Sequence, residues 1–250
     1  MSHRRSRFAT LPVLATLVLA GCAGTPQHQA RPNVASLYKH GLHALEAANY
    51  KAAEGYFRSL KADYPFKRYA REAALYLIYT HFMAGHNHEA ANTARRFIQE
   101  HPRSPDAPYA YFMVAVAESQ IPLNFVDRVF GVNPAKRNIR NLRAAFGDYK
   151  KLLVHFPASP YSLYGRFEMH RIRDRIAEHD LYIAHFLLEK GAYVASANRA
   201  AEIVRRLGMT PSVPAALKIL IRDYRHLGEP ALALQAQALR EAMHNTHSGS

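Results

Sequence analysis

From Asn33 onward, apolar residues recur three and four positions apart in almost every segment, and no stretch alternates with the period of two that marks a half-buried strand. The pattern predicts an all-α chain in which each helix buries one stripe. The stripes also match one another. Ala53 and Phe57 lie four apart with Pro65 eight further on, and Ala145, Tyr149 and Pro157 repeat that spacing. Ala90, Ala94 and Pro102 repeat it with a small residue where the aromatic would stand, and Gly41 takes the small position of the helix before Ala53.

Small residues where paired helices touch, an aromatic filling the groove and a proline ending the second helix make up the tetratricopeptide pattern. Proline suits the stop because it has no N–H to continue the helical ladder. Two weaker units follow. Gly191-Ala192-Tyr193-Val194-Ala195 restarts a helix as Ala48-Asn49-Tyr50-Lys51-Ala52 does, with Gly208 in place of the closing proline. Leu227-Gly228-Glu229 separates the last two helices, and Pro230 suits a helix start. The expected fold is a tetratricopeptide-like superhelix of about five helix pairs, at 34–64, 70–101, 106–156, 160–207 and 212–244, with a frayed tail over 245–250.

The interval from Pro102 to Pro157 is 18 residues longer than that from Pro65 to Pro102, and the surplus lies at 121–140, between the helices of the third pair. It carries Phe125 and Phe130 beside Lys136, Arg137 and Arg140. Long insertions in compact repeats are often functional; a solvated loop that folds its aromatics onto its own repeat is the other reading.

Ahead of the repeats, Arg4, Arg5 and Arg7 precede an apolar run from Phe8 to Leu19. The run is too short for a permanent span, which takes about 20 residues. It ends in Leu19-Ala20-Gly21-Cys22, the pattern of a bacterial lipobox. Residues 1–21 are therefore expected to be a lipoprotein signal peptide, and Cys22 the acylated first residue of the mature chain. That covalent lipid is the only cofactor expected. Several acyl chains anchor firmly where one binds reversibly. Ala23, where an Asp would favour retention at the inner membrane, points to the outer membrane, with the folded part in the periplasm. Residues 22–32 lack periodicity and read as a tether reaching at most about 35–40 Å.

Composition narrows the function class. The chain has 250 residues, 49% hydrophobic and 21% charged, a globular balance that can bury a sizeable core. Lys and Arg number 33 against 19 acidic residues, a formal charge of +14. In the periplasm that charge meets anionic lipid, cell-wall polymer or acidic protein, not nucleic acid. One cysteine excludes an internal disulfide and a multi-cysteine metal site. The 15 histidines include the pairs His40/His43, His86/His88 and His244/His247, but none has a third ligand or a metalloprotease spacing. Nucleophile elbow, phosphate loop and dinucleotide fingerprint are all absent. The reading is a non-enzyme, with no metal and no catalytic residues.

Several phrases then recur in order along the mature chain: Tyr64-Pro65-Phe66 with Tyr69, Leu77-Ile78-Tyr79, Arg96-Phe97-Ile98 with His101-Pro102, and Phe130-Gly131-Val132 in the insertion. Ala145-Phe146-Gly147-Asp148-Tyr149 with Lys151-Leu152, and the Gly191–Ala195 run with Asn198-Arg199, complete them. With the lipobox, they make the chain resemble the BamD (ComL) family of outer-membrane protein assembly lipoproteins. It departs from that family in the more basic stretch Asn133 to Asn138 and in Leu207-Gly208, where relatives often have Tyr-Pro.

The resemblance implies a non-enzymatic scaffold of the β-barrel assembly machinery, the BAM complex. Its N-terminal repeats (33–105) would receive unfolded outer-membrane β-barrel proteins by their C-terminal signal. Its C-terminal repeats (106–244) would engage the periplasmic domains of the BamA barrel subunit, alongside other BAM lipoproteins. Barrel signals end in an aromatic and alternate apolar residues, so aromatic pockets with basic rims would suit them. Lys51, Tyr64, Phe66, Tyr69, Tyr76 and Tyr79 are the candidate substrate residues, Lys51 and Tyr64 being positions that the resemblance marks; aromatics at these spacings would also serve as repeat core. Tyr193, Asn198 and Arg199 are the candidates for the partner contact. Arg199 would pair with a carboxylate there, or else sit in a local ion pair. A periplasmic tetratricopeptide scaffold for cell-wall synthesis or division is the second reading.

Overall fold

The computed structural model describes residues 33–65, 68–119 and 139–248, with side chains as far as residue 245. Regular structure among them is all α-helix: α1 (Val34–Glu46), α2 (Tyr50–Asp63), α3 (Arg68–Met83), α4 (Asn87–Glu100), α5 (Ala107–Ser119), α6 (Arg140–His155), α7 (Pro160–Glu189), α8 (Tyr193–Arg206), α9 (Val213–His226) and α10 (Pro230–Ser248). These are the five expected pairs. The signal peptide, Cys22, the tether, Phe66 and the insertion through residue 138 lie outside the described residues. Arg140 opens α6 and the buried Ile139 caps it, so the last two residues read as insertion belong to the third pair. Helix α10 runs on to Ser248, into the stretch read as a tail. Among the described residues no helix is long and apolar enough to cross a membrane.

Each helix packs on the one before it within a pair and on the next pair, and α1–α3, α3–α5, α5–α7 and α7–α9 also touch. No such contact joins even-numbered helices among the described residues. The odd helices are therefore an inner layer and the even ones an outer layer. Because contacts join only near neighbours in sequence, stability approximates a sum over adjacent pairs. Packing continues from α4 to α5, so the division at residue 105 is one of expected roles.

Four of the five pairs turn in the same way. Ala48, Gly85, Gly191 and Gly228 have φ of 55°, 78°, 72° and 73°. The next residue in each case returns its N–H to a carbonyl five positions back: Asn49 to Ala44, His86 to His81, Ala192 to Leu187 and Glu229 to Tyr224, all at 2.8–2.9 Å. This satisfies carbonyls that the helix end would otherwise leave open. The third pair has the insertion in that place. The outer helices stop alike too: Tyr64, His101, Phe156 and Leu207 each return an N–H to the residue four earlier. Leu207 does so with Gly208 after it, so the stop survives without the proline.

The outer helices bury one register: Ala53, Phe57 and Leu60; Ala90, Ala94 and Phe97; Ala145, Tyr149 and Leu152; and Ile203 with Ser196 and Ala200, each at most 1% exposed. In the first pair Gly41 lies under the ring of Phe57. In the second, Ile78 stands in Gly41's register and Ala94 in Phe57's, both 0% exposed and in one cluster. Large and small have changed places across the crossing with the volume kept, which is the form of core change proteins tolerate best.

The buried hydroxyls of Thr80, Ser162, Ser196 and Thr210 donate to backbone carbonyls, and Ser196 Oγ, bonded to that of Ala184 at 2.9 Å, ties α8 to α7. Like Nδ1 of the buried His81, the carboxylate of the wholly buried Asp223 of α9 lacks a hydrogen-bond partner, at either oxygen, among the described residues. Burial raises its carboxyl above the ordinary range, against smaller opposite effects of Ser196, His226 and Arg222. The folded state thus holds this proton more tightly than the unfolded state. Its contribution to stability is full below the unfolded carboxyl's pKa and is lost as pH rises through the raised one. Asp223→Asn is expected to add roughly 1–3 kcal/mol at pH 7.5, the cost of a buried unsatisfied group. The gain should shrink at pH 4. Urea melts at the two pH values check this, and equal stability of variant and parent at both would show a satisfied carboxylate.

Candidate binding surfaces

The residues expected to meet substrate fall into different surroundings. Tyr69 and Tyr76 of α3 meet Tyr38 of α1 edge-on, with ring centroids 5.9 and 5.8 Å apart. The Tyr38 hydroxyl donates to that of Tyr76 at 3.3 Å. Burial first, and that bond second, push the Tyr38 phenol up, so it stays neutral. On its other side Tyr76 stacks on Phe57 at 5.0 Å and 10°. It is thus half-buried, packed on the core through Phe57 and on α1 through Tyr38. Tyr69 and Tyr79 are open, at 37% and 40% exposure. Tyr64 is half-buried at the end of α2, on the same cluster as Phe57. Lys51 stands exposed in the first turn of α2, about 20 Å from Tyr64 along the helix axis. The candidates therefore do not converge on one pocket.

The aromatic row continues where no substrate residue was expected. Tyr109 and Phe112 of α5 meet Tyr161 of α7 at 5.7 and 5.3 Å, and Phe112 reaches Tyr164 at 6.4 Å. Burial lifts the Tyr109 phenol too. All these rings stand on inner-layer helices. Tyr38, also missed, had a legible sign in its place three residues before Gly41.

Asn198 and Arg199 of α8 line a cleft of about 650 Å³ between α6, α7 and α8. Asp180 of α7, its side chain only 4% exposed, lies in its wall. Arg199 Nη1 donates to Asp180 Oδ1 at 3.3 Å, and Arg143 Nη2 of α6 approaches Oδ2 at 3.5 Å. Glu202 is held by Arg205 and by Arg206. Arg199 is thus in a local ion pair and also faces the cleft. Its guanidinium has five N–H donors, so one bond to Asp180 leaves others for a second carboxylate. Tyr193 belongs elsewhere: it stacks on His226 of α9 at 4.2 Å and 5°, over the C-terminal core. Arg143 and Asp180 were not foreseen. The available sign was a lone carboxylate on the apolar stripe of Ile176, Ala177 and Ala184.

Residues 31–239 match the model of the YfiO family, described as outer membrane lipoprotein. The chain is 28% identical over 239 residues to the outer membrane protein assembly factor BamD of Haemophilus influenzae, covering 96% of this chain and 91% of that one. It is 28% identical over 216 residues to the BamD of Vibrio cholerae, covering 86% and 90%. With the BamD of Neisseria meningitidis it shares 27% over 237 residues, covering 92% and 89%. Among solved structures, a tetratricopeptide repeat protein from Parabacteroides merdae is similar over 81% of this chain and 77% of its own, at 14% identity and a TM-score of 0.38. By the match of its family model, which spans the helices from α1 into α10, the chain belongs to the YfiO family of outer membrane lipoproteins.

Proposed function

We propose that the protein is a non-enzymatic scaffold of outer-membrane protein assembly, held at the periplasmic face of the outer membrane by lipid on Cys22. The observation that carries this reading is similarity to BamD assembly factors along 96% of the chain. The geometry fits it. A stack of helix pairs is a stiff support, and it bears two chemically different surfaces. The inner-layer tyrosines of the first two pairs suit the alternating apolar side chains of an unfolded β-barrel protein. The cleft at Asn198 and Arg199 suits an acidic side chain on the periplasmic domains of a BamA-like barrel subunit. Other lipoproteins of the same machinery are further partners. No step of the function makes or breaks a bond.

The test is gentle detergent extraction of the tagged full-length protein followed by mass spectrometry of what stays bound. A stoichiometric barrel protein with tandem periplasmic domains is the expected outcome. Cell-wall enzymes or division proteins in its place would overturn the reading in favour of a cell-wall scaffold. Arg199→Gln should then weaken the barrel-subunit complex at least five-fold in a titration. The neutral variant is preferable to Arg199→Glu, which would set a second anion against the buried Asp180. Unchanged affinity removes Arg199 from the contact.

A further inference from the structure

We infer that the first three turns of α7 form a second subsite for the extended chain, one that takes its aromatic, carboxylate-bearing end; the inference rests on the substrate reading above. Leu163, Phe167 and His170 are four and three residues apart, and the same alternation leads on through Asp174 to Ala177, Leu181, Ala184 and Leu188. Such spacing sets them along one face of the helix. The later part of that face is covered, since Ala177, Ala184 and Leu188 lie in the core shared with α8 and α9 and Leu181 packs against it. The early part is open because α7 has 30 residues and its partner α8 only 14. Leu163 is 67% exposed, Phe167 63% and the adjoining Tyr164 64%. Soluble chains scatter such residues singly; three within five positions mark a contact surface.

The neighbours of this patch define what it holds. On one side Tyr164 joins it to Phe112 and so to the row that runs back over α5. Successive inner helices lie roughly 8–10 Å apart, so the row from α3 to α7 is about 20 Å long, the reach of about six extended residues. On the other side Arg166 lies next to Leu163 and Phe167 on the helix surface, exposed and in no ion pair among the described residues. Arg171, beyond them, is already paired with Glu168 at 2.9 Å. A free cation at the edge of an aromatic shelf matches a peptide that alternates apolar side chains and ends in an aromatic residue with a free α-carboxylate. Phe167 and Leu163 meet the terminal ring, and Arg166 meets the carboxylate.

The experiment uses the full-length protein in detergent and a fluorescein-labelled ten-residue peptide that alternates aromatic with polar residues and ends in phenylalanine. Anisotropy titration gives Kd. The double variant Leu163→Ser/Phe167→Ser should bind at least five-fold more weakly. Both positions are exposed, and a circular dichroism melt matching the parent excludes misfolding as the cause. Arg166→Gln should weaken the free-acid peptide about three-fold and leave the amidated peptide unaffected. Parental affinity in the double variant would overturn the subsite and leave the substrate reading standing. Failure of the parent protein to bind the peptide would overturn both.

Discussion

Replacing Gly41 with leucine will misalign or unfold the first helix pair, at the upper end of the roughly 1–3 kcal/mol that overpacking costs. A Cβ alone at this position would lie 2.7 Å from Phe57 Cε1 and 2.9 Å from Cζ. The ring has nowhere to retreat: Phe57 is 0% exposed, and Tyr76 is stacked 5.0 Å behind it. Any shift passes to Tyr38 and Tyr69, so the near-ultraviolet tyrosine signal should change along with the melting temperature. About 3 kcal/mol corresponds to a fall of roughly 6–12 °C for a domain of this size. Gly147→Ala on α6 is the control, since nothing stands within 4 Å of its Cβ. Removing a glycine from a helix interior there should add roughly 0.5–1 kcal/mol. The second pair suggests the rescue. Gly41→Ile with Phe57→Ala copies the exchange seen at Ile78 and Ala94 and should recover much of the loss. A Gly41→Leu melt equal to the parent's would mean that α1 does not cross α2 through this contact.

That exchange also shows what the sequence could and could not disclose. The outer-helix register was legible because it is local: a small residue, then four positions on an aromatic (in the second pair another small residue, Ala94), then a helix stop, recur in three pairs. The fourth was harder because Ser196, Ala200 and Ile203 bury the same positions without an aromatic. The candidate sites were legible only in part. Asn198 and Arg199 are one residue apart on one helix and do share a cleft. Lys51 and Tyr64 sit at opposite ends of α2, which a helix length alone would have revealed. Tyr109, Phe112, Tyr161 and Tyr164 were missed because their meeting depends on α5 and α7 being neighbours in the inner layer. That is a relation between pairs, which no spacing within one pair encodes. The stacking of Tyr193 was missed for the same reason, since His226 stands on the next pair.

The ion cluster at the cleft leads to the second large effect. Asp180 is buried, at 4% exposure, while Arg143 and Arg199 are 56% and 40% exposed. The arginines can turn to water when the aspartate is removed, but the aspartate has no such escape when they are. Arg143→Gln or Arg199→Gln alone is expected to cost about 1 kcal/mol, because the remaining guanidinium still faces the carboxylate. The double variant should cost about 3–5 kcal/mol, the loss typical when a buried charge is left uncompensated. The excess over the sum of the single effects is the coupling that a double-mutant cycle reads. Adding Asp180→Asn to the double variant should restore most of the stability, because the anion that lacked partners is gone. The triple variant also separates packing from binding. It should melt near the parent yet bind an acidic partner more weakly, since two of the three arginines that line the cleft are missing and the third, Arg206, is held by Glu202. A double variant as stable as its parent would mean that Asp180 is compensated by other groups. The convergence of α6 and α8 on this carboxylate would then contribute nothing to holding the third pair against the fourth.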